Sequence, residues 1–170
     1  MSSHLSRSVE ETGVIAKEIL DYISGNKNSM ASREATVIGL SGHLGSGKTV
    51  FVKAMAKHLG LAEEITSPTF VLMKIYDLPN LEVRPPDLAT RWKKLVHIDA
   101  YRLESAKEVE ALNFEKVIAD KDNLVMIEWS ENIADALKGL SNYSGITFAT
   151  GDADSERIIT LNKDGNENFQ

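Results

Sequence analysis

Residues 36–60 read TVIGLSGHLGSGKTVFVKAMAKHLG. Thr36 to Ser41 is a short apolar run with the pattern of a buried strand. Gly42 to Thr49 matches G-x-x-x-x-G-K-[ST]. Lys48 to Leu59 reads as a helix, with Val50, Met55 and Leu59 among its apolar positions and Gly60 suited to the residue just past its end. Strand, glycine-rich loop and helix in this order are the context that a phosphate-binding loop requires.

Each part of the loop has a chemical reason. Glycines let the backbone curl so that successive N–H groups point inward around phosphate oxygens. The helix that starts near Lys48 adds the positive end of its dipole. Lys48 is expected to reach the β- and γ-phosphates of ATP, and the hydroxyl of Thr49 to bind Mg²⁺. The nucleotide-binding set is Gly42, Leu44, Gly45, Ser46, Gly47, Lys48, Thr49 and Val50. His43 and Ser46 occupy variable positions of the pattern and receive no catalytic role.

Working outward, Ser8 to Ile23 has the apolar spacing of an amphipathic helix, with Ile15, Ile19 and Ile23 on one face. Ser8 and Glu11 suit a capping box, and Gly25 suits the stop. Gly25 to Arg33 is a polar connection. Phe70 to Tyr76 looks like a strand, and Asp77 to Trp92, with its three prolines, a loop. Lys94 to Ile98 and Leu124 to Ile127 are apolar runs without alternation, as expected of strands buried on both faces. Ala106 to Leu112, Phe114 to Ala119 and Glu131 to Leu137 read as helical fragments. Ile146 to Thr150 and Arg157 to Leu161 flank a polar turn and read as a hairpin. The expected architecture is one α/β domain over residues 1–162: a three-layer P-loop fold with a mostly parallel sheet and antiparallel C-terminal strands. Residues 163–170 read as a polar tail.

Bulk composition narrows the function. The chain has no cysteine, which removes disulfides, thiolate zinc sites and cysteine nucleophiles. Its four histidines lack metal-ligand spacing. A net charge of −6 argues against strong non-specific nucleic-acid binding by the chain alone. No apolar run is long enough to span a bilayer, and the N-terminus lacks the regions of a signal peptide, so a cytoplasmic location is expected.

A P-loop enzyme needs a carboxylate near Mg²⁺, usually at the end of a buried strand. Asp99, after the run ending at Ile98, and Glu128, after the run ending at Ile127, are the two candidates, and the sequence does not separate their roles. Lys48, Asp99 and Glu128 make up the candidate catalytic set, with Thr49 and Glu128 as metal ligands. Thr66, Ser67 and Thr69, around Pro68, are candidates for a switch that senses the γ-phosphate. Glu108 stands just beyond the Asp99 segment. Trp129 and Arg102 are open between binding and structural roles.

The combination of GHLGSGKT (42–49), TSPTF (66–70), HIDAYRL (97–103) and IEW (127–129), in this order and in a chain this short, resembles the TsaE family, formerly YjeE. SVEET at 8–12 and Arg157 near the end fit as well. The resemblance implies an ATPase required for threonylcarbamoyladenosine at position 37 of tRNAs that read codons beginning with A. It implies TsaD and TsaB type proteins as partners, with tRNA met indirectly through that complex; no membrane partner is expected, from the lack of a spanning apolar run. It gives Thr49 and Glu128 to Mg²⁺, places Asp99 in the active site, and makes Val9 to Thr12 candidates for contacts with the base. The family loop usually reads G-D-L-G-A-G-K-T, so His43 and Ser46 depart from it without touching the required glycines or Lys48. The loop from Asp77 to Trp92 is longer than the family pattern, and Asn113 stands where glycine is common.

The implied mechanism is in-line attack of water on the γ-phosphate, with slow turnover alone and stimulation by partners. Two other readings stay open on sequence: a small-molecule kinase on the same fold, and a nucleotide-gated binding module that does not hydrolyse.

Overall fold

The apolar run at Thr36 becomes the middle of a sheet. A computed structural model describes residues 2–26, 32–80, 92–103 and 106–162. In chain order the elements are β1 (Ser2–Ser6), α1 (Val9–Gly25), β2 (Thr36–Gly42), α2 (Lys48–His58), β3 (Met73–Asp77), β4 (Lys94–Asp99), α3 (Ala106–Glu110), α4 (Phe114–Ala119) and β5 (Asn123–Glu128). A 3₁₀ turn (Ser130–Ile133), α5 (Ala134–Leu137), β6 (Tyr143–Thr150) and β7 (Arg157–Asn162) follow. The seven strands form one sheet in the order β1-β7-β6-β2-β5-β4-β3. The inner strands β6, β2, β5 and β4 are parallel neighbours. The outer pairings, β1 with β7, β7 with β6, and β3 with β4, are antiparallel.

Alternation along the inner strands builds two cores. Ile38, Leu40, Leu124, Met126, Ile146 and Phe148 face α1 and α2. Val37, Val96, Ile98, Val125 and Ile127 face the layer of α3, α4 and α5. Every residue of β5 is buried, so apolar side chains are needed on both faces and the run shows no alternation. Phe51 of α2 meets Phe148 of β6 edge to face, with ring centroids 5.5 Å apart. Burying a side chain of this size contributes about 1.5–3 kcal/mol, so the contact fixes α2, and the loop ahead of it, on the sheet.

Helix ends follow their sequence signals. Ser8 Oγ accepts the Glu11 N–H at 3.2 Å, while the Glu11 carboxylate reaches back to the Arg7 N–H at 2.7 Å, one residue earlier than the standard box. At the end of α2, Gly60 has φ +84° and its N–H donates to Lys57 O, while Leu61 N–H donates to Ala56 O. Those two bonds make a Schellman motif, which needs a residue that tolerates positive φ.

Several expectations need correction. Gly25 lies inside α1, and Asn26 is the cap. The strand expected from Phe70 begins only at Met73. Phe70 to Leu72 form a turn in which the Val71 and Leu72 N–H groups both donate to Pro68 O, and Leu72 takes φ +64°. The helix expected to reach Leu112 ends at Glu110, and Asn113 then adopts φ +53°, the conformation that explains a glycine preference there. Glu131 to Leu137 is a 3₁₀ turn followed by one turn of α-helix. The polar start of the chain holds a strand, β1, paired to β7. Residues 27–31, most of the expected loop before Trp92, and the tail 163–170 lie outside the described residues.

Candidate nucleotide site

The inner strands end at one rim of the sheet, where ligands of open α/β folds bind. β2 runs directly into the loop, and Gly47, at φ +101°, turns the chain into α2. Leu44, Gly45, Ser46, Gly47, Lys48, Thr49 and Val50 line a cavity of about 430 Å³, together with Ser67, Thr69, Asp99, Tyr101, Glu128 and Trp129. Gly42 and Thr66 are not part of its wall.

Lys48 is 4% exposed. Its ammonium donates to the carbonyls of Gly42 and His43 at 2.5 and 3.0 Å and stands 3.8 Å from the centre of the Trp129 ring. Trp129 in turn meets the Tyr101 ring at a tilt of 52°, with centroids 5.0 Å apart. Burial pushes the Lys48 pKa down from its ordinary value, and the negative charges of Glu131, Glu128 and Asp99 oppose that shift.

Register sets the two candidate acids side by side. Asp99 at the end of β4 is paired with Glu128 at the end of β5. Glu128 is 3% exposed and accepts the Thr49 hydroxyl on both oxygens, at 2.9 and 2.7 Å. Its Oε1 also meets His97 Nε2 at 2.9 Å. A carboxylate only accepts, so His97 carries its proton on Nε2. Asp99 is bound differently. Its Oδ2 accepts from Ser67 at 3.1 Å and Thr69 at 2.5 Å, and its Oδ1 accepts the Tyr101 N–H at 3.0 Å. Asp99 therefore ties the turn around Pro68 to β4, while Glu128 ties α2 to β5. Thr66 accepts instead from the Lys74 ammonium, away from the cavity.

The candidates separate on this geometry. Lys48, Thr49, Ser67, Thr69, Asp99 and Glu128 converge on one cavity. Glu108 lies on the exposed side of α3, outside the lining. Arg102 stacks its guanidinium over the exposed Phe70 ring, 4.9 Å from its centre, and does not line the cavity. Val9 and Glu10 line a second cavity of about 610 Å³ between α1 and α2, and Val50 lines both. Arg157, at the start of β7, donates to Gly45 O at 3.3 Å. His97 is a site residue outside the candidate set, although its place two residues before Asp99 puts both on one face of β4.

The fold and the loop define a P-loop nucleotide-binding protein. A profile of the family described as "Threonylcarbamoyl adenosine biosynthesis protein TsaE" matches residues 6–159. The chain is 33% identical to a protein named tRNA threonylcarbamoyladenosine biosynthesis protein TsaE from Streptomyces coelicolor, covering 81% of this chain and 86% of that one. It is 32% identical to the protein of the same name from Treponema pallidum, covering 92% and 97% respectively. The crystal structure of Bacillus subtilis YdiB superposes with a TM-score of 0.60 at 25% identity, over 94% of this chain and 83% of that one. The chain belongs to the TsaE family. Among the described residues no helix is long and apolar enough to cross a membrane.

Proposed function

We propose that this chain is an ATPase that supports formation of the threonylcarbamoyl group on adenosine 37 of tRNAs reading codons beginning with A, acting with TsaB and TsaD type proteins. One observation carries the reading. The loop lysine, the loop threonine and a strand-end glutamate meet at one cavity, with Thr49 and Glu128 in direct contact.

The donor set suits Mg²⁺. Thr49 offers a hydroxyl and Glu128 a carboxylate, both hard oxygen ligands on the cavity wall. Mg²⁺ is commonly held by one or two protein oxygens plus substrate phosphates, so the lack of a larger acid cluster among the described residues suits it. When bound there, Mg²⁺ neutralises charge on the phosphate oxygens. Lys48 exchanges the Gly42 and His43 carbonyls for the β- and γ-phosphates. The free N–H groups at the start of α2 add donors to the same oxygens. The shared lining residue Val50 lets the base pass from the phosphate cavity towards Val9 and Glu10 in the groove between α1 and α2. Asp99 transmits the state of the γ-phosphate to Ser67 and Thr69, whose turn carries the exposed Phe70 towards a partner.

The test is phosphate release from ATP by this protein alone and with TsaB and TsaD type partners, with Lys48→Ala as control. Stimulation by the partners, lost in the variant, supports the reading. Steady turnover that ignores the partners, or phosphate transfer to a metabolite, moves the weight to a kinase, and no release even with the partners selects a nucleotide-gated module.

A further inference from the structure

A third carboxylate stands behind the phosphate loop. Trp129, at φ +60°, bends the chain out of β5 and into the 3₁₀ turn. This brings Glu131 under the first residue of the loop. Glu131 Oε1 accepts the Gly42 N–H at 3.3 Å, across 89 positions of sequence. Its Oε2 is buried without a hydrogen-bond partner among the described residues. The same Gly42 accepts the Lys48 ammonium on its carbonyl at 2.5 Å. Carboxylate, glycine backbone and ammonium thus form one chain of charge-assisted hydrogen bonds.

A backbone N–H at this position could be satisfied by any neutral acceptor. Holding a half-buried carboxylate there, with its Oε2 inaccessible and unpaired among the described residues, is the more costly way to do it. The expense makes sense if the charge has its own use, and the nearest use is Lys48. Its ammonium and the Glu131 carboxylate hold the same glycine, one through the carbonyl and the other through the N–H.

We propose that Glu131 is a positioning residue of the phosphate loop, which clamps Gly42 and supplies the counter-charge that keeps Lys48 on the loop's own carbonyls until a nucleotide phosphate displaces it. The inference rests on reading the loop as a nucleotide site. It gives Glu131 two effects of opposite sign. The hydrogen bond to Gly42 pre-forms the loop and favours binding. The charge competes with the incoming phosphates for Lys48 and opposes it.

Two substitutions separate these effects. Glu131→Gln keeps an acceptor for Gly42 and removes the charge, whereas Glu131→Ala removes both. ATP and ADP affinities are measured by titration calorimetry for the unaltered protein and both variants. Glu131→Gln is expected to bind ATP roughly three- to tenfold more tightly, and Glu131→Ala at least about threefold more weakly than Glu131→Gln. Equal affinities in all three proteins, or equal weakening in both variants, would overturn the proposal. Either result, in proteins that do bind ATP, overturns the role of Glu131 alone. Failure of the unaltered protein to bind ATP overturns the nucleotide reading, and the displacement step with it.

Discussion

Thr49 and Glu128, 79 positions apart, are joined by a hydroxyl that donates to both carboxylate oxygens at 2.9 and 2.7 Å. The bond crosses from the first turn of α2 to the end of β5. It needs a side chain with a hydroxyl at position 49 and a buried acceptor at 128. Thr49→Ala and Glu128→Gln are therefore expected to lower Mg²⁺-dependent ATP turnover by about 100-fold or more, while Thr49→Ser retains most of it. Binding of ADP without metal should change far less. Phosphate release and calorimetry, each with and without Mg²⁺, check the contrast. Full activity in Glu128→Gln would remove that residue from the site.

His97 is completely buried and holds Glu128 Oε1 at 2.9 Å. His97→Leu takes a hydrogen bond from a buried carboxylate, and is expected to cost about 1–3 kcal/mol of stability at pH 7. His97→Gln, which can place an amide N–H near the same oxygen, should recover part of that. Urea unfolding of both variants gives the comparison, and equal losses would mean that His97 acts only by filling space.

Two loop glycines are expected to respond differently to alanine. A Cβ on Gly42 would collide with the Phe148 carbonyl, in a backbone at φ +139°. At Gly45, with φ +76°, a Cβ meets nothing within 4 Å. Gly45→Ala should cost about 1 kcal/mol, from backbone conformation alone. Gly42→Ala should cost at least about twice as much and displace the loop from β6, lowering nucleotide affinity as well. Thermal melts and nucleotide titrations of the two variants measure the difference.

Asp99 is the common acceptor for Ser67, Thr69 and the Tyr101 N–H. Asp99→Ala should free the turn around Pro68 and speed amide exchange through residues 66–73. The central strands β2 and β5 should stay protected. Hydrogen exchange read by mass spectrometry tests this, and unchanged exchange in the turn would show that Pro68 alone fixes it.

Lys48 carries a pKa lowered by burial. In the nucleotide-free fold the proton is therefore lost at a pH below the ordinary lysine value of 10.5. Phosphates favour the protonated form, so nucleotide binding on the alkaline side takes up a proton, and affinity falls as pH rises through the lowered pKa. Calorimetry in buffers of different ionisation enthalpy reads that uptake directly. Lys48→Arg, always charged, should show none of it.

Much of this was legible in the sequence, for physical reasons. The stretch from Thr36 to Gly60 carries its own stops and starts, and the inner strands are buried on both faces, so their apolar runs stand out. The convergence of Asp99 and Glu128 could be anticipated because both follow such runs. β1 could not, because an edge strand with serines and a histidine on its faces has no apolar alternation. The start of β3 is not legible, because Phe70 and Val71 look like strand residues, yet both are exposed in a turn governed by Pro68. Glu131 gave no local signal at all. Its importance comes from a backbone bend at Trp129, and positive φ at a tryptophan is not something a sequence pattern announces.

The pairing of β1 with β7 has a consequence for how the chain assembles. Ser3 and Thr160 share a hydrogen bond at 3.0 Å across 157 positions. Of the described strands, the first in chain order thus waits for the last. Its ladder can close only once β7 is available, and long-range closures of this kind form slowly. Until then the segment before α1 stays unpaired, so a nascent or truncated chain that lacks β7 presents two open ladders, β1 and the free side of β6. The sheet is sealed at its youngest end.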